Sequence, residues 1–188
     1  MKTLTLFFFI VLATVLTTNA QITKGNWMAG GDASFFSNKS ESESNLNPNV
    51  TETSYLILTP NIGYFFMDKL SGGISFNFNF VEPFESVNSQ SYGFNPFMRY
   101  YFLDRDKLVN VFSQINYHVG FGKNGSGTSS KTNGYGVKLG SSLFFNSSVA
   151  LEFSLNYNKT KNTLDGNNTR NIRQFLIGLG LQIHLIKK

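Results

Sequence analysis

The sequence contains no cysteine, and charged residues make up only 14% of its 188 residues. The missing thiols exclude disulfides, cysteine-based metal sites and lipid attachment through a cysteine. Soluble domains usually carry about 25% charged residues, so the scarcity of charge argues against an exterior that is covered by water. Aromatic residues, in contrast, reach 15%.

Long apolar runs are also missing beyond the N terminus, where none approaches the ~18 residues of a membrane-spanning helix. The N terminus itself has Lys2, then the apolar run Leu4–Leu16, and then the small residues around Ala20. This order predicts a signal peptide over residues 1–20 that is cleaved before Gln21. We therefore expect an exported protein whose mature domain covers residues 21–188.

Apolar and small or polar residues alternate with a period of two along the mature chain, as in LSGGISFNFNF (Leu70–Phe80). This period is typical of strands with two different faces, and no window shows the competing helical period. Segment lengths suit the ~9–11 residues with which a tilted strand crosses a bilayer. The predicted strands cover about 25–37, 54–66, 70–80, 90–102, 108–122, 133–145, 149–158 and 171–185.

The connections between these strands alternate in length, with long polar loops at 38–53, 82–89, 123–133 and 159–170 and short turns between them. An even strand number with this rhythm is typical of transmembrane barrels whose short turns face the periplasm. We therefore predict an all-β fold, an eight-stranded antiparallel up-and-down transmembrane β-barrel. A secreted soluble barrel that holds an apolar ligand is the alternative, and it would place Phe76 and Phe78 inside.

An internal repeat places aromatic residues just before two short turns, in PNIGYFFMDK (Pro60–Lys69) and PFMRYYFLDR (Pro96–Arg105). SLFFNSS (Ser142–Ser148) ends a third strand in a similar way. Tyrosine and tryptophan settle at membrane interfaces because each ring has an apolar and a polar end. The prolines suggest a bulge or bend at matched positions. We expect an aromatic girdle on the periplasmic side, formed by Trp27, Tyr64, Phe66, Tyr100, Phe102 and Phe145.

With YFFMDKLSGGISF, PFMRYYF and YGVKLGSSLFF, the mature chain resembles the small outer-membrane β-barrel proteins, porin-like relatives of OmpX and the OmpA transmembrane domain. The resemblance implies an integral protein of the bacterial outer membrane that the outer-membrane assembly machinery inserts. It also implies contact with outer-membrane lipids. The chain departs from the family in ending HLIKK, where such barrels usually end on an aromatic residue.

The interior of an eight-stranded barrel is just wide enough for side chains to fill. Four charged residues fall at mid-strand positions on the polar face, and two acids with two bases can neutralise each other. We therefore predict a side-chain-filled lumen with a charge network, and a narrow channel for small solutes is the alternative. The four residues are Asp32, Arg99, Lys138 and Glu152.

Catalytic and metal-binding patterns are weak. His118 and His184 have no serine at motif spacing and no third ligand that would complete a zinc site. We expect no enzymatic activity, no catalytic residues, no cofactor and no metal; a lipid-modifying outer-membrane enzyme is the alternative. No basic stripe with interleaved aromatics occurs, which argues against nucleic-acid binding. We expect a monomer that has a structural role or that binds or adheres through its long loops.

Charge is unequally distributed among the long loops. The first two carry Lys39 and five glutamates, whereas the last two carry mainly bases. Lysine and arginine pair well with phosphate, so the basic loops are candidates for binding lipopolysaccharide, and solvated loops without a ligand are the alternative. The basic residues are Lys123, Lys131, Lys159, Lys161 and Arg170, beside the single acid Asp165.

Overall fold

The computed structural model describes residues 22–42, 49–82, 90–123, 129–164 and 168–185. The predicted signal peptide, residues 1–20, lies outside these ranges. Within the described ranges, no helix is long and apolar enough to cross a membrane. The strands are β1 (Trp27–Ser42), β2 (Asn49–Met67), β3 (Leu70–Glu82), β4 (Gln90–Tyr101), β5 (Val109–Lys123), β6 (Ser129–Phe144), β7 (Val149–Leu164) and β8 (Asn168–Leu185).

The eight strands form a closed barrel in which each strand pairs with its neighbours in the sequence. β1 closes the barrel on β8, from Trp27 opposite Leu185 to Ala33 opposite Leu179. Every pairing is antiparallel. The predicted eight-stranded, antiparallel, up-and-down barrel is therefore confirmed.

Several strands extend further into the long-loop side than the alternation indicated. β2 begins at Asn49 instead of 54, and β7 ends at Leu164 instead of 158. The added residues are mostly Asn, Thr and Lys, so apolar alternation does not mark them. Their backbones nevertheless continue the antiparallel ladder, for example from Asn162 opposite Arg170 to Leu164 opposite Asn168.

The phenylalanines of β3 lie outside the barrel. Phe76 and Phe78 are 43% and 47% exposed, whereas Ser75 on the other face is 5% exposed. The same division holds on the other strands, where large apolar side chains cover the outer wall and polar side chains are buried in the lumen. This orientation excludes the soluble alternative, because a wall of exposed Phe, Leu and Ile is stable in lipid and not in water.

The two strand prolines interrupt the ladder without shifting its register. Pairing of β2 with β3 passes from Leu58 opposite Phe78 directly to Asn61 opposite Ser75, so two pairs beside Pro60 are missing. Proline has no backbone N–H to donate, which accounts for the gap. The register shift in this pair of strands lies instead between Phe65 and Met67, at the turn. The prolines therefore form no bulge, and the bend that is the other part of the expectation stays a prediction.

A short segment before β1 crosses the turn-side opening of the barrel. The backbone N–H of Gly25 donates to the Phe65 carbonyl at 2.8 Å, and that of Lys69 donates to the Ile22 carbonyl at 2.8 Å. Gly25 has a φ of +95°, a conformation that glycine adopts without strain. These bonds hold Ile22 in a buried position, where it covers the turn-side end of the lumen.

Candidate functional site

Two of the predicted lumen charges form a buried ion pair across the barrel. The Arg99 Nη1 donates to both carboxylate oxygens of Glu152, at 2.8 and 3.0 Å, and the two side chains are only 1% and 2% exposed. Gln114 Oε1 accepts from Arg99 Nε at 2.8 Å, and Ser142 Oγ donates to Glu152 at 2.9 Å. Other lumen side chains therefore satisfy several of the remaining polar groups of the pair.

The other two predicted charges form a second ion pair, in which Lys138 Nζ donates to Asp32 Oδ2 at 2.5 Å. Both residues are buried. Within the described residues no hydrogen bond joins the two pairs directly, but Gln114, which binds Arg99, lies opposite Lys138 on the neighbouring strand. The structure thus brings the four residues together as two adjacent, neutral pairs.

The lumen on the turn side of these pairs is filled by a cluster of rings, which we call the aromatic plug: Phe65, Tyr101, Phe112, Phe144 and His184. The ring centroids of Phe65 and Tyr101 lie 5.9 Å apart, and those of Phe144 and His184 lie 5.3 Å apart. The Arg99 guanidinium carbon lies 4.3 Å from the Phe112 centroid. The plug therefore closes the turn-side half of the lumen and stacks on the buried cation.

Sequence reasoning assigned none of these five residues to a plug, although a signal is present. Runs of three aromatic or large apolar residues, such as Tyr100-Tyr101-Phe102, break the alternation. Because neighbouring residues of a strand point to opposite faces, the central ring of such a run must point inward when its neighbours face lipid. Tyr101 and Phe65 both follow this rule.

The loop-side half of the lumen contains a cavity of 430 Å³. Its wall consists mainly of Asn, Gln, Ser and Thr side chains, and the Lys138–Asp32 pair also lines it. His118 is fixed on this wall by Asn95, which lies 2.5 Å from its Nδ1, and by Asn77 at 3.3 Å. The lumen is therefore not filled along its whole length, because the inward side chains of this half are short.

The six predicted girdle residues lie at the turn-side end of the barrel. Trp27 and Tyr64 are cross-strand neighbours with ring centroids 5.2 Å apart. Tyr100 and Phe102 meet edge to face at 5.2 Å. Phe66 is exposed on the outer wall, and the partly exposed Phe145 lies in the turn after β6.

A second set of aromatic residues, which sequence reasoning did not identify, lies on the outer wall at the loop side. On each strand, the residue is the outward-facing aromatic ring nearest the long loops, and all are exposed: Tyr92, Phe121, Tyr135, Tyr157 and Phe175. The ten residue steps from Phe175 to Leu185 on β8 cover ~34 Å at ~3.4 Å per residue, which a tilt of ~40° reduces to a height of ~26 Å. This matches the ~25 Å apolar band of outer-membrane barrels.

Four cations lie on the outer wall immediately beyond this second set of rings. We call them the basic patch: Lys131, Lys159, Lys161 and Arg173. Lys159 lies opposite both Tyr135 and Arg173 in the sheet, and its Nζ is 6.0 Å from the Tyr135 ring centroid. In ranges 129–164 and 168–185, none of the four forms an ion pair. Three of them come from the predicted basic loops, and Arg173 was not predicted.

The two histidines contact amide and aromatic side chains. His184 Nε2 lies 3.4 Å from the Tyr101 hydroxyl, and His118 contacts Asn95 and Asn77. Across the residues that the structure describes, neither histidine ring hydrogen-bonds to a serine hydroxyl or a carboxylate, and no group of three or more potential metal ligands occurs. This geometry offers no activated nucleophile.

Comparisons with known proteins place the fold among small outer-membrane barrels. Neisserial surface protein A is similar at a TM-score of 0.61 and 17% identity, over 85% of this chain and 97% of that one. The N-terminal β-barrel domain of Pseudomonas aeruginosa OprF has a TM-score of 0.58 and 11% identity, over 86% and 98% of the two chains. Pseudomonas aeruginosa OprG has 0.58 and 12%, over 91% and 100%. No protein-family model and no curated protein matches the sequence.

The closed barrel and its apolar outer wall define the class of the protein, an integral β-barrel protein of the bacterial outer membrane. Within this class, its architecture is the small eight-stranded, OmpA- and OmpX-like barrel that the three solved structures share.

Proposed function

We propose that the protein is a non-enzymatic, structural barrel that holds anionic lipid of the outer leaflet, lipopolysaccharide, against its wall. The observation that carries this proposal is the basic patch directly above the loop-side rings. Lys159 and Arg173 are cross-strand neighbours, and Lys161 follows on the same face. Cross-strand side chains lie ~5 Å apart at Cβ, so the four cations form one continuous surface.

The position of the patch suits a phosphate group. Tyr135, Tyr157 and Phe175 mark the level at which the apolar band ends, and the headgroup phosphates of a lipid begin at that level. Lysine and arginine form strong charge-assisted hydrogen bonds with phosphate oxygens. No carboxylate in the described ranges neutralises the patch, so its charge is available to an external anion.

Two further parts of the proposal concern assembly. Closure of β1 on β8 pairs the two terminal strands, which supports a monomer because no strand edge is offered to a second copy. The outward residues Leu181, Ile183 and Leu185 end β8, and the assembly machinery would recognise this alternating apolar end.

The test measures lipid A bound per protein by mass spectrometry after purification from lipopolysaccharide-containing membranes in mild detergent. The variant replaces Lys131, Lys159, Lys161 and Arg173 with Gln. A matched control replaces the turn-side cations Lys24, Lys69, Arg105 and Lys107 with Gln. We expect at least fivefold less lipid A on the patch variant and no change on the control.

Equal retention of lipid A by both variants would refute the proposal that the basic patch binds lipopolysaccharide. Binding that persists with dephosphorylated lipid A would show that acyl chains, and not the cations, hold the lipid. The same spectra test the enzymatic alternative, because a deacylase or acyltransferase would change the mass of the lipid A itself. Unchanged lipid A masses are expected.

A further inference from the structure

The loop-side cavity has a chemical character that neither the fold nor lipid binding requires. We propose that it is a binding site for a small, neutral, hydroxyl-rich molecule, of the size and polarity of a mono- or disaccharide. This inference is independent of the basic patch, which lies on the outer wall.

The cavity is large enough and closed at its inner end. Its 430 Å³ falls within the ~300–1,000 Å³ of small-molecule sites and corresponds to about 14 waters at ~30 Å³ each. Lys138 and Asp32 lie at its inner end, and the Arg99–Glu152 pair and the aromatic plug lie beyond them. A molecule that enters therefore cannot pass through, and is retained only if the wall binds it.

Three amides form a row across the wall of the cavity. In the sheet, Asn116 lies opposite Gly136, Gly136 opposite Asn158, and Asn158 opposite Gln174. None of the three amides makes a side-chain hydrogen bond within the described part of the chain. Each amide offers two donors and one acceptor oxygen, so the row presents donors and acceptors side by side, as successive hydroxyl groups require.

Gly136 creates the space for this row. A β-carbon built at this position would collide with Asn158 Oδ1 and lie 2.9 Å from the amide nitrogen of Asn116. With no side chain at Gly136, the two amides can lie over it from both neighbouring strands. A methyl group added at this glycine should therefore displace both amides without a clash with the backbone, because the nearest atoms belong to side chains.

The charges of the cavity favour a neutral ligand. Lys138 and Asp32 neutralise each other at 2.5 Å, so neither offers a full charge to an ion. Burying an unpaired ion carries a large desolvation cost.

Apolar side chains lie beside the amide row on the wall of the cavity. Ile57 on β2 and Ile172 and Leu176 on β8 point into the cavity. A sugar ring has hydroxyl groups at its edge and C–H groups on its faces, so it suits a wall on which aliphatic side chains lie beside amides.

The experiment titrates the purified full-length protein, folded in detergent micelles, with maltose and follows the side-chain amide resonances by NMR. We expect saturable shifts of the Asn116, Asn158 and Gln174 amides. Gluconate and choline serve as an anionic and a cationic probe, and N-acetylglycinamide serves as a neutral amide without hydroxyls. These three should bind at least tenfold more weakly than maltose.

Two variants and one control complete the test. Gly136→Ala and Asn158→Leu should each weaken maltose binding at least tenfold, and the second remains informative if the first does not fold. Asn171→Leu is the control, because Asn171 lies exposed on the outer wall of β8. Heat-dependent gel mobility verifies that each variant is folded. Absence of saturable maltose binding, equal binding by the variants, or preference for any of the other probes would overturn the proposal.

Discussion

Removal of Arg99 should destabilise the barrel strongly, whereas removal of Arg99 together with Glu152 should not. In the single variant Arg99→Met, the carboxylate of Glu152 stays 2% exposed and loses both bonds from Arg99, keeping Ser142 at 2.9 Å and Tyr101 at 3.5 Å. Breaking a buried pair by removing one partner costs about 3–5 kcal/mol, because the other charge is left uncompensated. We expect a loss of that size.

Removal of the acid should cost less than removal of the base. In Glu152→Leu, Arg99 keeps Gln114 at 2.8 Å, the Tyr101 hydroxyl at 3.1 Å and the face of Phe112 at 4.3 Å. A desolvated cation–π contact contributes about 2 kcal/mol. It offsets part of the about 3–5 kcal/mol that an uncompensated buried charge costs, so we expect a loss of about 2 kcal/mol. The double variant Arg99→Met/Glu152→Leu buries no charge at this place, and it should lie within about 1 kcal/mol of the wild type or be more stable.

The assay is urea unfolding and refolding in phospholipid vesicles. Trp27 is the single tryptophan and lies exposed on the outer wall, so its fluorescence reports contact with lipid. The coupling energy of the double-mutant cycle should be at least about 3 kcal/mol. Single-variant losses below about 1 kcal/mol, or a double variant as unstable as Arg99→Met, would refute the reasoning by showing that water in the lumen screens the pair.

Three further predictions concern the turns, the girdle and the lumen. The hydrogen bond from Lys69, 2.5 Å long, lowers the pKa of Asp104 below its usual 3.8. The stabilisation is present above pH 3.8 and is lost as the pH falls through the folded pKa. In Asp104→Asn the urea midpoint should therefore fall less steeply with pH below about pH 4 than in the wild type. Trp27 at the interface should be quenched by lipids brominated near the headgroup more than by lipids brominated at the chain end, and the reverse order would contradict the girdle. Purified protein in planar bilayers should give no steady current, since the aromatic plug closes the lumen, and a stable open level would contradict that closure.

The barrel could be predicted from the sequence because lipid imposes a simple rule on every strand. Side chains on one face must be apolar, so alternation over 70–80 reports both the strand and its orientation. The rule ends where the bilayer ends. Beyond Tyr157, both faces of β7 meet water or polar side chains, so Lys159–Leu164 shows no alternation although its backbone continues the ladder.

The face of each lumen charge could also be predicted, but its partner could not. Arg99 lies on β4 and Glu152 on β7, so no ladder places them side by side, and their contact depends on the width of the closed barrel. Lys138 on β6 and Asp32 on β1 likewise meet across the lumen. Alternation contains no information about distances across the interior.

The division of the lumen into a plug and a cavity depends on which side chain lies opposite each inward glycine. On the turn side, Gly73 faces Phe97 and Gly140 faces Phe112, and a β-carbon at either would lie 2.7 or 2.5 Å from the ring. The glycines there make room for large rings, which fill the space. On the loop side, Gly136 lies between two asparagines, whose amides cover the glycine but are too short to fill the lumen. The same residue type therefore supports closure at one end and a binding space at the other, according to its cross-strand neighbour.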